Sequence, residues 1–346
     1  MMNVPICEKE ALLLTDRKTR KYFAKEDVAE GFLVVTENQT VCFTDARYFS
    51  AIKDRFQSAG VQAKLFTGLE SIKECLVSLG VRDLYIDFTK ETIADYQKYK
   101  ELGFNLRNGF DIIKTLRSKK SDDELNHIKK ACEIAEKAYH TAIKEIKKGI
   151  TENELKDRLE NLMISFGAEG VSFETIVAFG ANSAVPHHQT GDTVLADNTV
   201  VLVDMGCTVN GYCSDITRTA FFGTPDKEFL DCYQAVLAAN VMAEEKIYSG
   251  VSGKEADAFA RDFLKEKGLD KYFTHSLGHG IGLDIHEYLA LSPKSSDILT
   301  DGMVFSVEPG VYFDGEFGIR IEDTVTLNNG KVERLFTDDK KLILLK

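Results

Sequence analysis

At 346 residues, 44% hydrophobic and 28% charged, the chain is too long for one typical core, ordinary in composition for a folded protein, and suited to two domains. Its formal charge of −12, from 43 basic and 55 acidic residues, argues against nucleic acid or an anionic membrane as partner, because either demands a basic face. Seven scattered cysteines (Cys7, Cys42, Cys75, Cys132, Cys207, Cys213, Cys232), with neither a signal-peptide core nor a membrane-length apolar run, fit a reducing cytoplasm rather than a disulfide framework or a zinc ribbon.

The first third alternates short β-rich runs with helical ones. Phe32 to Thr36 and Thr40 to Thr44 are predicted strands around the turn residues Glu37 and Asn38, Ala46 to Ala59 and Gly68 to Leu79 are predicted helices, and Val81 to Phe88 is a further strand. This predicts a smaller mixed α/β domain over residues 1–121. The basic run Lys114 to Lys120 reads as a solvated linker face at its end. Ser121 followed by Glu124 has capping-box spacing, and Leu125, Ile128, Cys132, Ala135, Tyr139, Ala142 and Ile146 then recur at three and four residues, which predicts a long amphipathic helix ending before Gly149. Thr151 with Glu154, and Ser252 with Glu255, repeat that start signal, and Thr224-Pro225 predicts another helix with proline in its first turn. Residues 122–346 thus carry helices around strands, an α+β arrangement.

Every residue with chemical promise lies in this second domain. Val200 to Val203 reads as a buried strand, Asn210-Gly211 as a two-residue hairpin loop, and Tyr212 to Phe222 as the returning strand. With that loop, Val209 faces Tyr212, Gly206 faces Asp215, and Asp204 shares the face of Asp215 one diagonal step away; a bulge or a longer loop changes this register. Cysteines 207 and 213 flank the hairpin and read as small core residues. His275-Ser-Leu-Gly-His-Gly-Ile-Gly-Leu-Asp-Ile-His286-Glu287 combines three histidines with glycines that let backbone approach closely, and Pro186-His187-His188 has the same character. In Met303 to Glu308, Ser306 and Glu308 share the face opposite Met303, Phe305 and Val307; in Gly318 to Glu322, Arg320 and Glu322 share the face opposite Ile319 and Ile321. Asp204, Asp215, His279, Glu308 and Glu322 are therefore candidate ligands. Taken singly, each has a plain structural reading: a ladder or turn aspartate, a strand-ending glutamate before Pro309-Gly310, a core or loop histidine. Together, four carboxylates and one imidazole are what a site for two divalent cations needs, since they nearly cancel about +4 of charge.

The stretches Val203-Asp-Met-Gly206, Ser214-Asp-Ile-Thr-Arg-Thr219, Gly278-His-Gly-Ile-Gly-Leu283, Val307-Glu-Pro-Gly310 and Arg320-Ile-Glu-Asp323 resemble those of the pita-bread metallopeptidases, specifically proline peptidases of the aminopeptidase P and prolidase type. Thr44-Asp-Ala-Arg-Tyr48 resembles part of that family's creatinase-type amino-terminal domain. The resemblance implies a pita-bread catalytic domain in which Asp204 chelates one metal, Asp215 and Glu322 bridge both, and His279 and Glu308 complete the other. It implies a metal-bridged hydroxide as nucleophile and Glu308 as proton shuttle, and the oxygen-dominated ligand set suits manganese, with zinc, cobalt or iron as alternatives. His187 and His286 would steady substrate and tetrahedral intermediate, Phe173 would form an apolar subsite wall, and Arg320 would partner a ligand carboxylate. Tyr212 has either a similar supporting role or only hairpin packing. The implied substrates are peptides with proline second, and the implied assembly is a homodimer. One departure bears on substrate length: many prolidases place a proline and then an arginine after this His-Glu, where the cation can hold a dipeptide's carboxylate, and here Tyr288, Leu289 and Ala290 follow. An Xaa-Pro aminopeptidase is therefore expected, with an Xaa-Pro dipeptidase as the alternative, and a methionine aminopeptidase or a metal-free creatinase-like binding homologue behind them.

Overall fold

The first two strands expected in the opening third of the chain are present, as the antiparallel pair Phe32–Val35 and Thr40–Thr44 in the computed structural model, which describes residues 4–346. They belong to a six-stranded mixed sheet that also contains Glu10–Leu14, Val61–Leu65, Asp83–Ile86 and Asn105–Asn108. Glu10–Leu14 carries no polar alternation because four of its five residues are buried, as in a strand covered on both faces. Helices Ala46–Ser58 and Leu69–Ser78 fall where their periodicity placed them.

The chain separates into two compact units, which divide between Arg117 and Ser118. The end of the basic run differs from the solvated face expected of it. Lys120 donates its backbone N–H to Gly302 O, and its ammonium lies 3.1 Å from Glu287 Oε2 with both side chains almost fully buried. A buried carboxylate recruits the cation that composition assigned to solvent.

In the second unit, helix Asp122–Ala142 opens on the Ser121/Glu124 capping box, and Glu152–Ser165 and Gly253–Glu266 open on the boxes at Thr151/Glu154 and Ser252/Glu255. Each reciprocal cap satisfies two otherwise orphaned donors, worth about 1 kcal/mol per helix start. The helix expected at Thr224-Pro225 instead begins at Lys227: the Asp226 carboxylate accepts from Phe229 N, and an acidic N-cap outcompetes proline as the start.

The helices cover a nine-stranded sheet whose antiparallel order is Glu287–Leu291, Gly278–Gly280, Val304–Val307, Glu322–Asn328, Ile216–Phe222, Thr199–Met205 and Ile176–Phe179; Lys331–Arg334 and Leu344–Leu345 pair off this path. The hairpin register is as expected. Val209 pairs with Tyr212 and Met205 with Ile216, one continuous register across the break at Gly206, and Asn210 and Gly211 both take positive φ (48° and 79°), as this turn demands. Helices Lys227–Lys246 and Gly253–Glu266 bury Val236, Ala239, Ala256 and Ala260 in one core with Phe305, Val307 and Ile319 of the strands and Ile321 between two of them. The alternate residues Ser306, Glu308, Arg320 and Glu322 are thereby turned the other way, toward a cavity.

Candidate active site

Asp204, Thr217 and Glu322 form one row across three neighbouring strands, because Asp204 pairs with Thr217 and Thr217 with Glu322. Thr217 Oγ1 donates to Glu322 Oε2 at 2.6 Å and accepts from Arg320 Nε at 3.0 Å. Asp215 precedes the strand Ile216–Phe222, and its backbone is tied on both sides by the Thr324 hydroxyl, which accepts from its N–H and donates to its carbonyl. Glu308 follows Val304–Val307 and accepts from Ser306 Oγ at 3.1 Å. Ser306 Oγ also accepts from the His279 N–H at 3.0 Å, and a Cβ on Gly278 would stand 2.0 Å from Ser306 O, so only glycine permits this approach.

These strands bring the carboxylates and the imidazole together. Single donor atoms of Asp215, His279 and Glu322 lie within 4.8 Å of one another. His279 Nδ1 is 3.1 Å from Gly280 O; a carbonyl only accepts, so Nδ1 holds the proton and the Nε2 lone pair faces Asp215 Oδ2 at 3.5 Å and Glu308 Oε1 at 3.4 Å. Arg320 Nη2 reaches Asp204 Oδ2 at 2.6 Å. Asp204 Oδ1 is buried and takes no hydrogen bond from any described residue.

Four carboxylates thus face one guanidinium. Burial, then the neighbouring carboxylates, pushes Asp215 and Glu322 well above the usual range, and burial opposed by Arg320 takes Glu308 to about 8. His279 and His286 are lowered, chiefly by burial. Desolvating a carboxylate costs several kcal/mol, so an arrangement of four is stable as anions only with cations among them. An oxygen-rich set with one imidazole and an unpartnered carboxylate oxygen fits divalent metal ions.

Residues 126–329 match metallopeptidase family M24. The chain belongs to metallopeptidase family M24. An Xaa-Pro dipeptidase of Pyrococcus furiosus is 36% identical over 313 residues, 90% of this chain and 89% of that protein. Two solved structures are similar in fold over 97% of this chain and 95% of each of theirs: an Xaa-Pro dipeptidase from Bacillus anthracis, with TM-score 0.92 and 34% identity, and an X-Pro aminopeptidase from Thermotoga maritima, with TM-score 0.89 and 33% identity. The second unit has the pita-bread fold, and the protein is a hydrolase of peptide bonds.

In this metallopeptidase the five carboxylate and imidazole groups line a cavity of about 490 Å³ together with Phe173, His187, His286 and Arg320. His286 stands edge-on to His279, ring centroids 4.3 Å apart. Tyr212 is the exception among the residues expected at the site. Its hydroxyl donates to Glu124 Oε1 at 2.9 Å and its ring stacks on His127, because it turns to the face of the hairpin that packs on helix Asp122–Ala142. Ala290, where an arginine would hold a dipeptide's carboxylate, also lines the cavity, and among the described lining residues Arg320 is the one guanidinium and no lysine appears.

Two contributors were not foreseen from the sequence, and a third, His275, was noted only as one of three histidines in its segment with no partner assigned. Thr217 was detectable, since strand alternation puts it on the face of Asp215. Tyr312 was not. Tyr312 Oη accepts from Arg320 Nη1 at 2.8 Å and donates to His275 Nε2 at 2.9 Å, the direction being fixed because His275 Nδ1 donates to Ser276 O. Burial and Arg320 lower His275 to about 3, so it stays a neutral acceptor at neutral pH.

Proposed function

We propose that this metallopeptidase is an Xaa-Pro aminopeptidase that holds two divalent metal ions, manganese first, on Asp204, Asp215, His279, Glu308 and Glu322, and cleaves the bond between an N-terminal residue and a following proline. The metals supply a lowered pKa for the attacking water and polarisation of the scissile carbonyl. Glu308 takes the proton from the attacking water and delivers it to the proline nitrogen, with Ser306 Oγ donating to one of its oxygens at 3.1 Å and so orienting it. His187 and His286 line the cavity from two separate segments of the chain and donate to the oxygen that becomes negative. Phe173 and Ile176 offer an apolar wall for a side chain or a pyrrolidine ring. Arg320 holds Asp204 and is itself held by Tyr312, which keeps that carboxylate aimed at the cavity.

The observation that carries the choice of longer substrates is Ala290 at the cavity wall, with Arg320 already engaged by Asp204. A dipeptide's carboxylate finds no free guanidinium there, whereas a longer peptide has no carboxylate at that point to satisfy. The second reading, an Xaa-Pro dipeptidase, is favoured by the dipeptidases of Pyrococcus furiosus and Bacillus anthracis that this chain resembles. Turnover of Xaa-Pro dipeptides and Xaa-Pro-Yaa peptides in added manganese separates them. Faster turnover of the longer peptides is expected, and Ala290→Arg is expected to raise dipeptide kcat/KM on the order of tenfold, the worth of one charge-assisted bidentate contact. Faster dipeptide turnover by the wild type refutes the aminopeptidase reading.

The expected homodimer and cytoplasmic setting form part of the same proposal. Among the described residues no helix is long and apolar enough to cross a membrane.

A further inference from the structure

Helix Lys227–Lys246 buries an amide where its pattern calls for an aliphatic side chain. Asn240 is fully buried between the apolar positions Val236, Ala239 and Ala243. A polar group there is costly unless its hydrogen bonds are all made. Lys340 Nζ donates to Asn240 Oδ1, and an ammonium can only donate, so the amide orientation is fixed with its nitrogen on the other side. That nitrogen donates to Val307 O at 2.9 Å and to Ile321 O at 3.2 Å. These carbonyls belong to the residues immediately before Glu308 and Glu322. Ile321 lies at a break, after Phe317–Arg320 and before Glu322–Asn328, so its carbonyl sits where one strand ladder gives way to the next. Lys340 is itself anchored to Glu244 at 2.8 Å and Asp323 at 2.7 Å.

We propose that Asn240 is a positioning residue for the metal site: one amide ties together the two backbone segments that carry Glu308 and Glu322, and Lys340 of the C-terminal segment locks that amide. This rests on the reading that both glutamates hold divalent metal. The segments also pair directly, Val307 with Asp323 and the Ile321 N–H donating to Pro309 O at 3.3 Å, and the two hydrogens of the amide add a further tie at the carbonyls that immediately precede the carboxylates. Loosening it spreads the two glutamates and weakens the cation they share, as loss of supporting hydrogen bonds behind ligands typically weakens metal affinity about 10- to 100-fold. Lys340 extends the coupling to chain far from the cavity in sequence.

The test is calorimetric titration of Mn2+ into metal-free wild type, Asn240→Leu and Lys340→Met, with circular dichroism and thermal unfolding of the same metal-free samples. Wild type is expected to bind manganese, folded Asn240→Leu about tenfold or more weakly, and Lys340→Met more weakly in the same direction by a smaller factor, because it keeps both amide donors. A merely structural role lowers the unfolding temperature and leaves the affinity of the folded protein unchanged. Wild-type affinity in both variants overturns the proposal. Should Asn240→Leu fail to fold, Lys340→Met decides alone: weakened binding supports the proposal and unchanged binding overturns it. A wild type that binds no manganese removes the metal reading itself, and this inference with it.

Discussion

Glu308 is the side chain on which burial and the proposed proton transfer bear together. Its carboxyl is pushed up to about 8 by burial, against the pull of Arg320, and Ser306 orients one of its oxygens. Replacing it by glutamine keeps volume and hydrogen-bonding shape while removing the proposed acid–base function and one negative candidate ligand. Glu308→Gln is expected to lower kcat on Xaa-Pro-Yaa peptides by about 10²- to 10⁴-fold even at saturating manganese, the usual worth of a general acid–base group. Steady-state kinetics across a manganese series check this; a kcat restored to wild type by metal alone would make Glu308 a ligand and nothing more. At this scale the sequence was informative because each carboxylate lies in or beside a recognisable strand run. The pairing of Tyr312 with His275 stayed illegible because it is a bond between side chains 37 positions apart.

At the scale of elements, the hairpin of Asn210 and Gly211 determines where two of the carboxylates stand. Asn210-Gly211 made the register readable, and the continuous pairing on both sides of Gly206 carries it through to Asp204 and Asp215. Gly206 itself has no room for a side chain: an added Cβ would lie 2.0 Å from Ser214 O and 2.3 Å from Ser172 Oγ. Gly206→Ala therefore forces the strand apart beside Asp215. It is expected to cost about 1–3 kcal/mol, the range for overpacking a tight interior, and to weaken manganese binding in the folded protein. Chemical denaturation and metal titration of this variant measure both; wild-type stability would mean that the break at Gly206 yields without strain. The strand Glu10–Leu14 and the late start at Asp226 show the limits of periodicity. Burial on both faces erases alternation, and a side-chain cap outweighs the positional preference of proline.

For the whole molecule, the buried carboxylates make stability depend on pH and metal together. Glu308 and Glu244 hold protons in the folded metal-free chain up to about 8, burial being the first cause of each shift, whereas unfolded glutamates release theirs near about 4.3. The folded state binds more protons across that window, so their contribution is complete below about pH 4.3 and is lost as pH rises toward 8. His275 acts oppositely: lowered to about 3 when folded, it favours the fold above its ordinary value of about 6.5 and costs stability below it. Between about pH 7 and 8 the histidine adds no further pH dependence, and the unfolding temperature of the metal-free protein is expected to fall. Saturating manganese should flatten that slope, since a carboxylate engaged by metal holds no proton. Thermal scans with and without metal check the sign, and a rising unfolding temperature without metal would contradict it.

The central claim is that Asp204, Asp215, His279, Glu308 and Glu322 hold two metal ions for hydrolysis. Equilibrium metal analysis of the folded protein after loading with manganese tests it most directly. Two ions per chain are predicted for the wild type, with at least one lost in His279→Ala and in Asp215→Asn at retained fold. A folded wild type that takes up no divalent ion, or variants that keep both, would contradict it.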